Sequence, residues 1–208
     1  MTDNSSFREL FGEVPLMAIL RGMGVERSLA VATTAWDLGI TAVEVPVQTP
    51  TDIEALRVLA EAATARGLRV GAGTVISLEH VRQARDAGAA FTVSPGFDAE
   101  IVRASHDSGM PALPGVSTAT EVQAAVKEGL TWLKAFPASL LGPSWFSAMS
   151  GPFPGVEFVA TGGMDAANAS AYLGAGVRVV AVGSALEDPA QLPALSKLLG
   201  GGVHDDDE

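Results

Sequence analysis

The feature that most restricts what this chain can fold into is a unit repeated along it: a brief apolar run rich in Val, Ile and Ala, a polar or glycine break, then a helical segment. The first run, Leu16 to Leu20, closes at Arg21-Gly22 and leads to a helix from about Glu26 to Leu38, whose Leu29, Ala32 and Trp36 share one face. The second is Thr41 to Val47, and Thr51-Asp-Ile-Glu54 reads as a capping box opening the next helix, with Ile53, Leu56, Ala60 and Ala63 turned to a core. Leu68 to Ala72 and Phe91 to Ser94 are the third and fourth runs, ending at Gly73-Thr74 and Pro95-Gly96, with helices over 77–87 and near 98–108. The fifth, Pro111 to Leu113, is the weakest; Pro114-Gly115 closes it, and a second capping box follows, Thr118-Ala-Thr-Glu121. The sixth spans Thr131 to Pro137, with a helix near 143–149 behind it. The seventh, Glu157 to Ala160, precedes Asp165, placed to cap a helix. The eighth, Val177 to Val182, ends at Gly183-Ser184 before a terminal helix with Leu195 and Leu198.

Short runs that are apolar throughout are strands buried on both faces, as in a parallel sheet covered by helices. Eight strands alternating with eight helical segments predict an α/β chain closed as a (β/α)8 barrel, the TIM barrel. At 208 residues and 48% hydrophobic, the chain can bury one large core, so residues 1–208 read as a single domain, with 200–208 an acidic, disordered tail. An open doubly wound sheet is the alternative, because alternation alone does not show closure. Against it, no G-x-G-x-x-G follows the first run, and the unusual residues sit at the end of nearly every strand rather than at one switch point.

A net charge of −11 disfavours nucleic acid or an anionic membrane surface as partner, since either calls for a basic face. A small molecule is the expected partner. There are no cysteines, so no disulfide or thiolate metal site is available, and His80, His106 and His204 are scattered without ligand spacing. Neither metal nor cofactor is expected. The N-terminus has no basic region followed by an apolar run, and no apolar stretch is long enough to span a bilayer, which reads as a soluble cytoplasmic protein.

Three groups of residues could carry chemistry. Lys134 lies in the middle of an apolar strand, and fully burying an unpaired ammonium is so costly that such a lysine pairs, deprotonates or reacts. A lowered pKa would make it a nucleophile able to form a Schiff base with a carbonyl; a snorkelling or ion-paired lysine is the structural alternative. Alternation in the second strand sends Val43, Val45 and Val47 outward and Glu44 inward; in the sixth it sends Leu133 and Ala135 outward and Trp132, Lys134 and Phe136 inward. A carboxylate and an amine thus share one interior, either as acid/base and nucleophile or as a static pair. The second group is Thr161-Gly162-Gly163 with Gly183-Ser184, glycine turns after the last two strands whose backbone N–H groups can hold a phosphate. The third is Gly71-Ala-Gly-Thr74 with Ser94-Pro-Gly96: Gly71 and Gly73 would leave space beside the lysine, and Thr74 can donate to a carboxylate or carbonyl oxygen. Arg21 at the end of the first strand is a cation suited to an anion or a rim salt bridge, and Trp145 and Phe146 are read as packing or subunit contact.

At Glu44-Val-Pro, Gly71-Ala-Gly-Thr74, Ser94-Pro-Gly96, Pro114-Gly115, Lys134-Ala-Phe-Pro137, Thr161-Gly-Gly163 and Gly183-Ser184 the chain resembles the 2-keto-3-deoxy-6-phosphogluconate and 4-hydroxy-2-oxoglutarate aldolases, class I aldolases that act through pyruvate. The resemblance implies a lyase without metal in which Lys134 forms the Schiff base and Glu44 is general acid/base. It also implies that Thr74 helps hold the pyruvate carboxylate, that Gly162, Gly163, Gly183 and Ser184 hold phosphate, and that Pro95 and Phe136 belong to the substrate site. Members of the family are usually trimers, which implies a homotrimer. One position departs: phosphogluconate-type members commonly carry arginine four residues after the glutamate, where this chain has Gln48. The related 6-phosphogalactonate aldolases are similar to it in an uncharged amide there, in Ile19 to Gly22, and in Phe136 to Pro143, so Arg21 is expected to take over part of the anion binding. The implied reaction is reversible cleavage of 2-keto-3-deoxy-6-phosphogluconate to pyruvate and glyceraldehyde 3-phosphate, and 4-hydroxy-2-oxoglutarate to pyruvate and glyoxylate; the galactonate epimer is the alternative substrate. Outside the resemblance, another phosphate-binding barrel enzyme or a non-catalytic barrel would leave Lys134 and Glu44 as a mere ion pair.

Overall fold

The computed structural model describes residues 4–200. Helix α1 (Asn4–Phe11) precedes a run of strands and helices: β1 (Leu16–Ile19), α2 (Gly24–Leu38), β2 (Ala42–Pro46), α3 (Pro50–Ala65), β3 (Arg69–Gly73), α4 (Leu78–Asp86), β4 (Thr92–Val93) and α5 (Ala99–Asp107). The second half continues with β5 (Ala112–Leu113), β6 (Gly115–Val116), α6 (Ala119–Lys127), β7 (Trp132–Ala135), α7 (Ala138–Leu141) and α8 (Pro143–Ser150). It ends with β8 (Glu157–Thr161), α9 (Ala169–Gly174), β9 (Val179–Val182), a 3-10 turn over Ser184–Glu187 and α10 (Leu192–Gly200). All strand pairs are parallel, in the order β5-β4-β3-β2-β1-β9-β8-β7-β6.

β5 and β6 are two halves of the expected fifth strand. Pro114 has no N–H to give to a ladder, so regular pairing breaks there. Yet Ser94 N–H donates to the Leu113 carbonyl at 3.2 Å, and Lys134 N–H donates to the Pro114 carbonyl at 2.9 Å. Consecutive residues therefore tie β4 on one side and β7 on the other, and the sheet closes into the eight-position barrel; the open doubly wound sheet is ruled out. Gly115 makes this close approach possible, because a Cβ there would lie 2.1 Å from the Pro95 carbonyl oxygen.

The pleat sorts the side chains into two cores. Val43, Val45, Val47, Leu133 and Ala135 pack outward against the helices, as alternation predicts. Met17, Ile19, Phe91, Val93, Leu113, Trp132, Val159 and Val179 fill the barrel itself, together with Phe7 and Phe11 of α1. The Phe11 ring lies 5.2 Å from Trp132 and the Phe7 ring 5.9 Å from Phe91, centroid to centroid. Thr41 Oγ1, at the start of β2, donates to the Leu10 carbonyl, so α1 plugs the end of the barrel where the strands begin. Burying each of these rings stabilises by about 1.5–3 kcal/mol. That plug leaves the opposite end, where the strands finish, as the open mouth.

Several expectations are corrected. The first capping box lies two residues earlier: Thr49 Oγ1 accepts from Asp52 N–H at 3.2 Å, Asp52 Oδ2 accepts from Thr49 N–H at 3.0 Å, and Pro50, with φ already helical, starts α3. The second box, Thr118 with Glu121, is present as read. Asp165 Oδ1 accepts from the N–H of Ala167 and Asn168, ordering a turn, but α9 begins only at Ala169. α10 runs through Gly200, where the tail was expected to begin; residues 201–208, His204 among them, lie outside the described residues. Gly71 makes no space for a substrate: a Cβ there would sit 2.2 Å from the Phe91 ring, which fills that gap. Trp145 and Phe146 are intramolecular packing, with Trp145 edge-on to Phe158 at 5.2 Å and Phe146 edge-on to Tyr172 at 5.7 Å.

Candidate active site

Glu44 sits in β2 between Ile19 of β1 and Gly71 of β3 in the ladder, and Lys134 in β7 between Gly115 of β6 and Val159 of β8. Their neighbours on each strand face the helices, so both side chains project into the barrel. Glu44 is 1% exposed and Lys134 2%. Gly73 clears the room for the carboxylate, since a Cβ there would stand 2.6 Å from Glu44 Oε1. Both Glu44 oxygens are buried without a hydrogen-bond partner among the described residues, so the two groups share an interior without a direct hydrogen bond. Lys134 Nζ lies over the Phe136 ring, 5.1 Å from its centroid.

Burial dominates the titration of both groups. It lowers the pKa of Lys134 from 10.5; the negative charge of Glu44 opposes this, and Arg21 adds to it. It raises the pKa of Glu44 from 4.5, against the pull of the Lys134 and Arg21 cations. A buried, unpartnered carboxyl group and an amine with weakened hold on its proton are what an acid/base and nucleophile pair requires. A static pair would instead bring carboxylate and ammonium into contact.

Above this layer a cavity of about 300 Å3 opens at the mouth, lined by Ile19, Arg21, Met23, Phe136, Thr161, Gly162, Gly163, Gly183, Ser184 and Glu187. Phe136 and Thr161 lie two residues beyond Lys134 and its ladder partner Val159, so the lysine is one inward layer below the cavity floor. Gly162 and Gly163 have φ of +97° and +75°, a turn that a side chain would strain. A Cβ at Gly163 would also come within 2.5 Å of Ser139 Oγ. A second cavity of about 350 Å3, lined by residues such as Glu9, Glu13, Gly67 and Arg69, lies beside the α1 plug at the far end of the barrel, away from both ionisable groups.

The structure thus gathers Arg21, Phe136, Gly162, Gly163, Gly183 and Ser184 around one cavity, with Glu44 and Lys134 below it. It does not place the other expected residues on that cavity. Gln48 is exposed at the end of the second strand, and Pro95 lines a neighbouring groove with Val75, Ile76 and Phe97. Thr74, the residue after β3, has φ of +58°, the one non-glycine residue in the left-handed region among the described residues, and its carbonyl lies 3.2 Å from His80 Nδ1. Backbone strain of this kind persists where surroundings impose it. Reading the sequence missed Met23 and Glu187, and named Thr161 and Ile19 only within longer segments, Thr161 to Gly163 and Ile19 to Gly22; nothing local marks Glu187. Among the described residues, no three His, Asp or Glu side chains come together as a metal-binding set.

An amine held deep in a closed parallel barrel, beside a carboxyl group and beneath an anion-sized cavity, can make and break carbon–carbon bonds next to a ketone through an imine, the chemistry of a class I aldolase. Comparison with known proteins agrees. The chain belongs to the KDPG and KHG aldolase family, whose model matches residues 8–195. It is 38% identical over 178 residues to a probable 2-dehydro-3-deoxy-6-phosphogalactonate aldolase of Rhizobium meliloti, covering 85% of this chain and 84% of that one. It is 36% identical to a 2-dehydro-3-deoxy-phosphogluconate aldolase of Treponema pallidum, covering 86% and 82%. The crystal structure of KDPG aldolase from Legionella pneumophila, with pyruvate captured as a covalent carbinolamine, superposes with a TM-score of 0.78 at 31% identity, covering 91% of this chain and 94% of that one.

Proposed function

We propose that this aldolase reversibly cleaves 2-keto-3-deoxy-6-phosphogluconate to pyruvate and glyceraldehyde 3-phosphate in the cytoplasm, with Lys134 as nucleophile and Glu44 as general acid/base. The observation that carries this reading is the burial of both groups in one interior, where desolvation moves each pKa toward neutrality. Neutral Lys134 attacks the C2 ketone, and the carbinolamine so formed takes up a proton from solvent and loses water, leaving an iminium. Glu44 takes the C4 hydroxyl proton as the C3–C4 bond breaks, and the bonding electrons pass to the iminium, giving an enamine and free aldehyde. Glu44 then returns a proton to C3, which regenerates the iminium, and water hydrolyses it to release pyruvate, the amine and the proton taken up at the start. The iminium is the electron sink, so the route needs no metal.

Arg21, with the backbone of Gly162, Gly163, Gly183 and Ser184, is the seat for the phosphate, and Phe136 separates that seat from the lysine. Thr74 holds the pyruvate carboxylate at the end of β3, with Pro95 and Gln48 on the rim. The same site admits the shorter 4-hydroxy-2-oxoglutarate. Gln48 and the likeness to the Rhizobium meliloti protein favour a second reading, the galactonate epimer. Comparing kcat/KM for the two C4 epimers tests the choice: a preference for the gluconate epimer supports the first reading, and a preference for the other supports the second. A homotrimer is our reading of the assembly, supported by the family resemblance and by Leu140 and Ile76, 83% and 59% exposed on the single chain; a monomer by light scattering would contradict it.

A further inference from the structure

Of the ten residues that line the mouth cavity, two are charged, and they have opposite signs: Arg21 and Glu187. A carboxylate on the wall of a phosphate seat works against the ligand, because a phosphate monoester carries about −1.5 to −2 charges at pH 7. Glu187 is not left to do so. Arg27, in the second turn of α2, ion-pairs its carboxylate. The Glu187 side chain is 23% exposed and that of Arg27 65%, so the carboxylate is largely withdrawn from water while the cation stands on its outer side. Arg27 does not itself line the cavity, and the 3-10 turn that carries Glu187 starts at Ser184, so Glu187 is carried by the cavity's own backbone and is paired from α2.

We propose that Arg27 is a specificity-determining residue: by neutralising Glu187 it lets the seat accept a phosphate, and so sets the preference for phosphorylated over unphosphorylated 2-keto acids. This rests on the aldolase reading above and refines it. Without Arg27, the unpaired carboxylate of Glu187 meets the phosphate and cancels the attraction of Arg21. Without the charge on Glu187, Arg27 is released and adds to that attraction. With neither, the seat returns close to its original net charge. Through-space effects of partly exposed charges are modest and weaken with salt, so they belong at low ionic strength.

The test is a charge cycle of Arg27→Ala, Glu187→Gln and the double variant. Each is assayed at low salt for cleavage of the phosphorylated substrate and of unphosphorylated 4-hydroxy-2-oxoglutarate, with inorganic phosphate as competitive inhibitor. Arg27→Ala is expected to raise KM for the phosphorylated substrate, relative to the unphosphorylated one, by about two- to fivefold, and to raise the inhibition constant of phosphate in parallel. Glu187→Gln is expected to lower both, and the double variant to fall between the two singles, near the parent protein. Equal changes of KM for both substrates would reduce the pair to a structural contact and overturn the inference. So would a double variant as weak as Arg27→Ala. Should Arg27→Ala fail to fold, Glu187→Gln decides alone, since an unchanged or raised KM for the phosphorylated substrate contradicts the proposal. Trapping of pyruvate on Lys134 keeps the two levels apart: an adduct with a flat charge cycle removes only this inference, whereas no adduct removes the aldolase reading beneath it.

Discussion

Gly73 faces Glu44 so closely that a β-carbon on it would lie 2.6 Å from Oε1 and 2.9 Å from the carboxyl carbon. The smallest side chain at that position pushes the carboxyl group off its place, while Lys134 on the far side of the barrel is untouched. Gly73→Ala should therefore cut turnover by about 10²-fold or more, the range expected for losing a general acid/base, yet still allow pyruvate to form its adduct on Lys134. Steady-state rates beside adduct mass spectra check both halves; a variant with normal turnover would show that Glu44 need not occupy that position.

Glu44→Gln removes proton transfer more cleanly, without a steric change. Turnover should fall by about 10²–10⁴-fold with adduct formation retained. The same variant bears on the lysine. The charge on Glu44 favours the protonated form of Lys134, so removing it should lower the lysine pKa further below 10.5. Imine formation needs the neutral amine, so its rate rises with pH through that pKa. The midpoint of the pH profile for borohydride trapping should lie below 10.5 in the parent protein and move to lower pH in Glu44→Gln; movement to higher pH would contradict the electrostatics drawn here.

Thr74 combines a strained backbone with a side chain assigned to the pyruvate carboxylate. Thr74→Ala and Thr74→Gly both delete the hydroxyl and should both raise the KM for pyruvate in the condensation direction. They part on stability, because alanine keeps the left-handed penalty and glycine does not; Thr74→Gly should be more stable than Thr74→Ala by about 1 kcal/mol. Denaturant melts of the two variants test it, and equal midpoints would mean the turn holds no strain.

At the other end of the barrel, Phe7 and Phe11 fill the interior from α1. Phe11→Ala should cost about 3–5 kcal/mol of stability through the cavity it leaves against Trp132. The KM values should be unchanged, since the plug lies at the end of the barrel remote from the mouth. A stability loss below about 1 kcal/mol would show that α1 is not part of the core.

Arg21→Ala should raise KM for the phosphorylated substrate if the proposed seat holds, because Arg21 is the cation that lines the mouth cavity. Unchanged KM and turnover would remove Arg21 from anion binding and leave the loop backbone as the whole of the seat.

What could be read in advance was whatever obeys a local period. Alternation along Thr41 to Val47 and Thr131 to Pro137 turned Glu44 and Lys134 inward, and both strands are arranged that way. Gly162 and Gly163 after β8 were legible because positive φ has a residue signature, whereas Gly183 after β9, at φ −113°, opens the cavity wall only by lacking a side chain. What escaped depends on contacts between distant segments. Gly71 looks like room for a substrate until the Phe91 ring, from the next strand, is found filling it. The break at Pro114 needs both neighbours of that strand to be known. α1 has the pattern of any short amphipathic helix, and nothing in it says that its two rings close a barrel. Glu187 and Arg27 are ordinary surface charges in sequence, and only the return of β9 beside α2 makes them a pair.

Whether Lys134 is the nucleophile is decided by incubating the protein with pyruvate, reducing with borohydride and mapping the product by peptide mass spectrometry. A single reduced pyruvate imine is expected on the peptide containing Lys134, absent without pyruvate and absent in Lys134→Met. Labelling elsewhere, or turnover that survives in Lys134→Met, would contradict it.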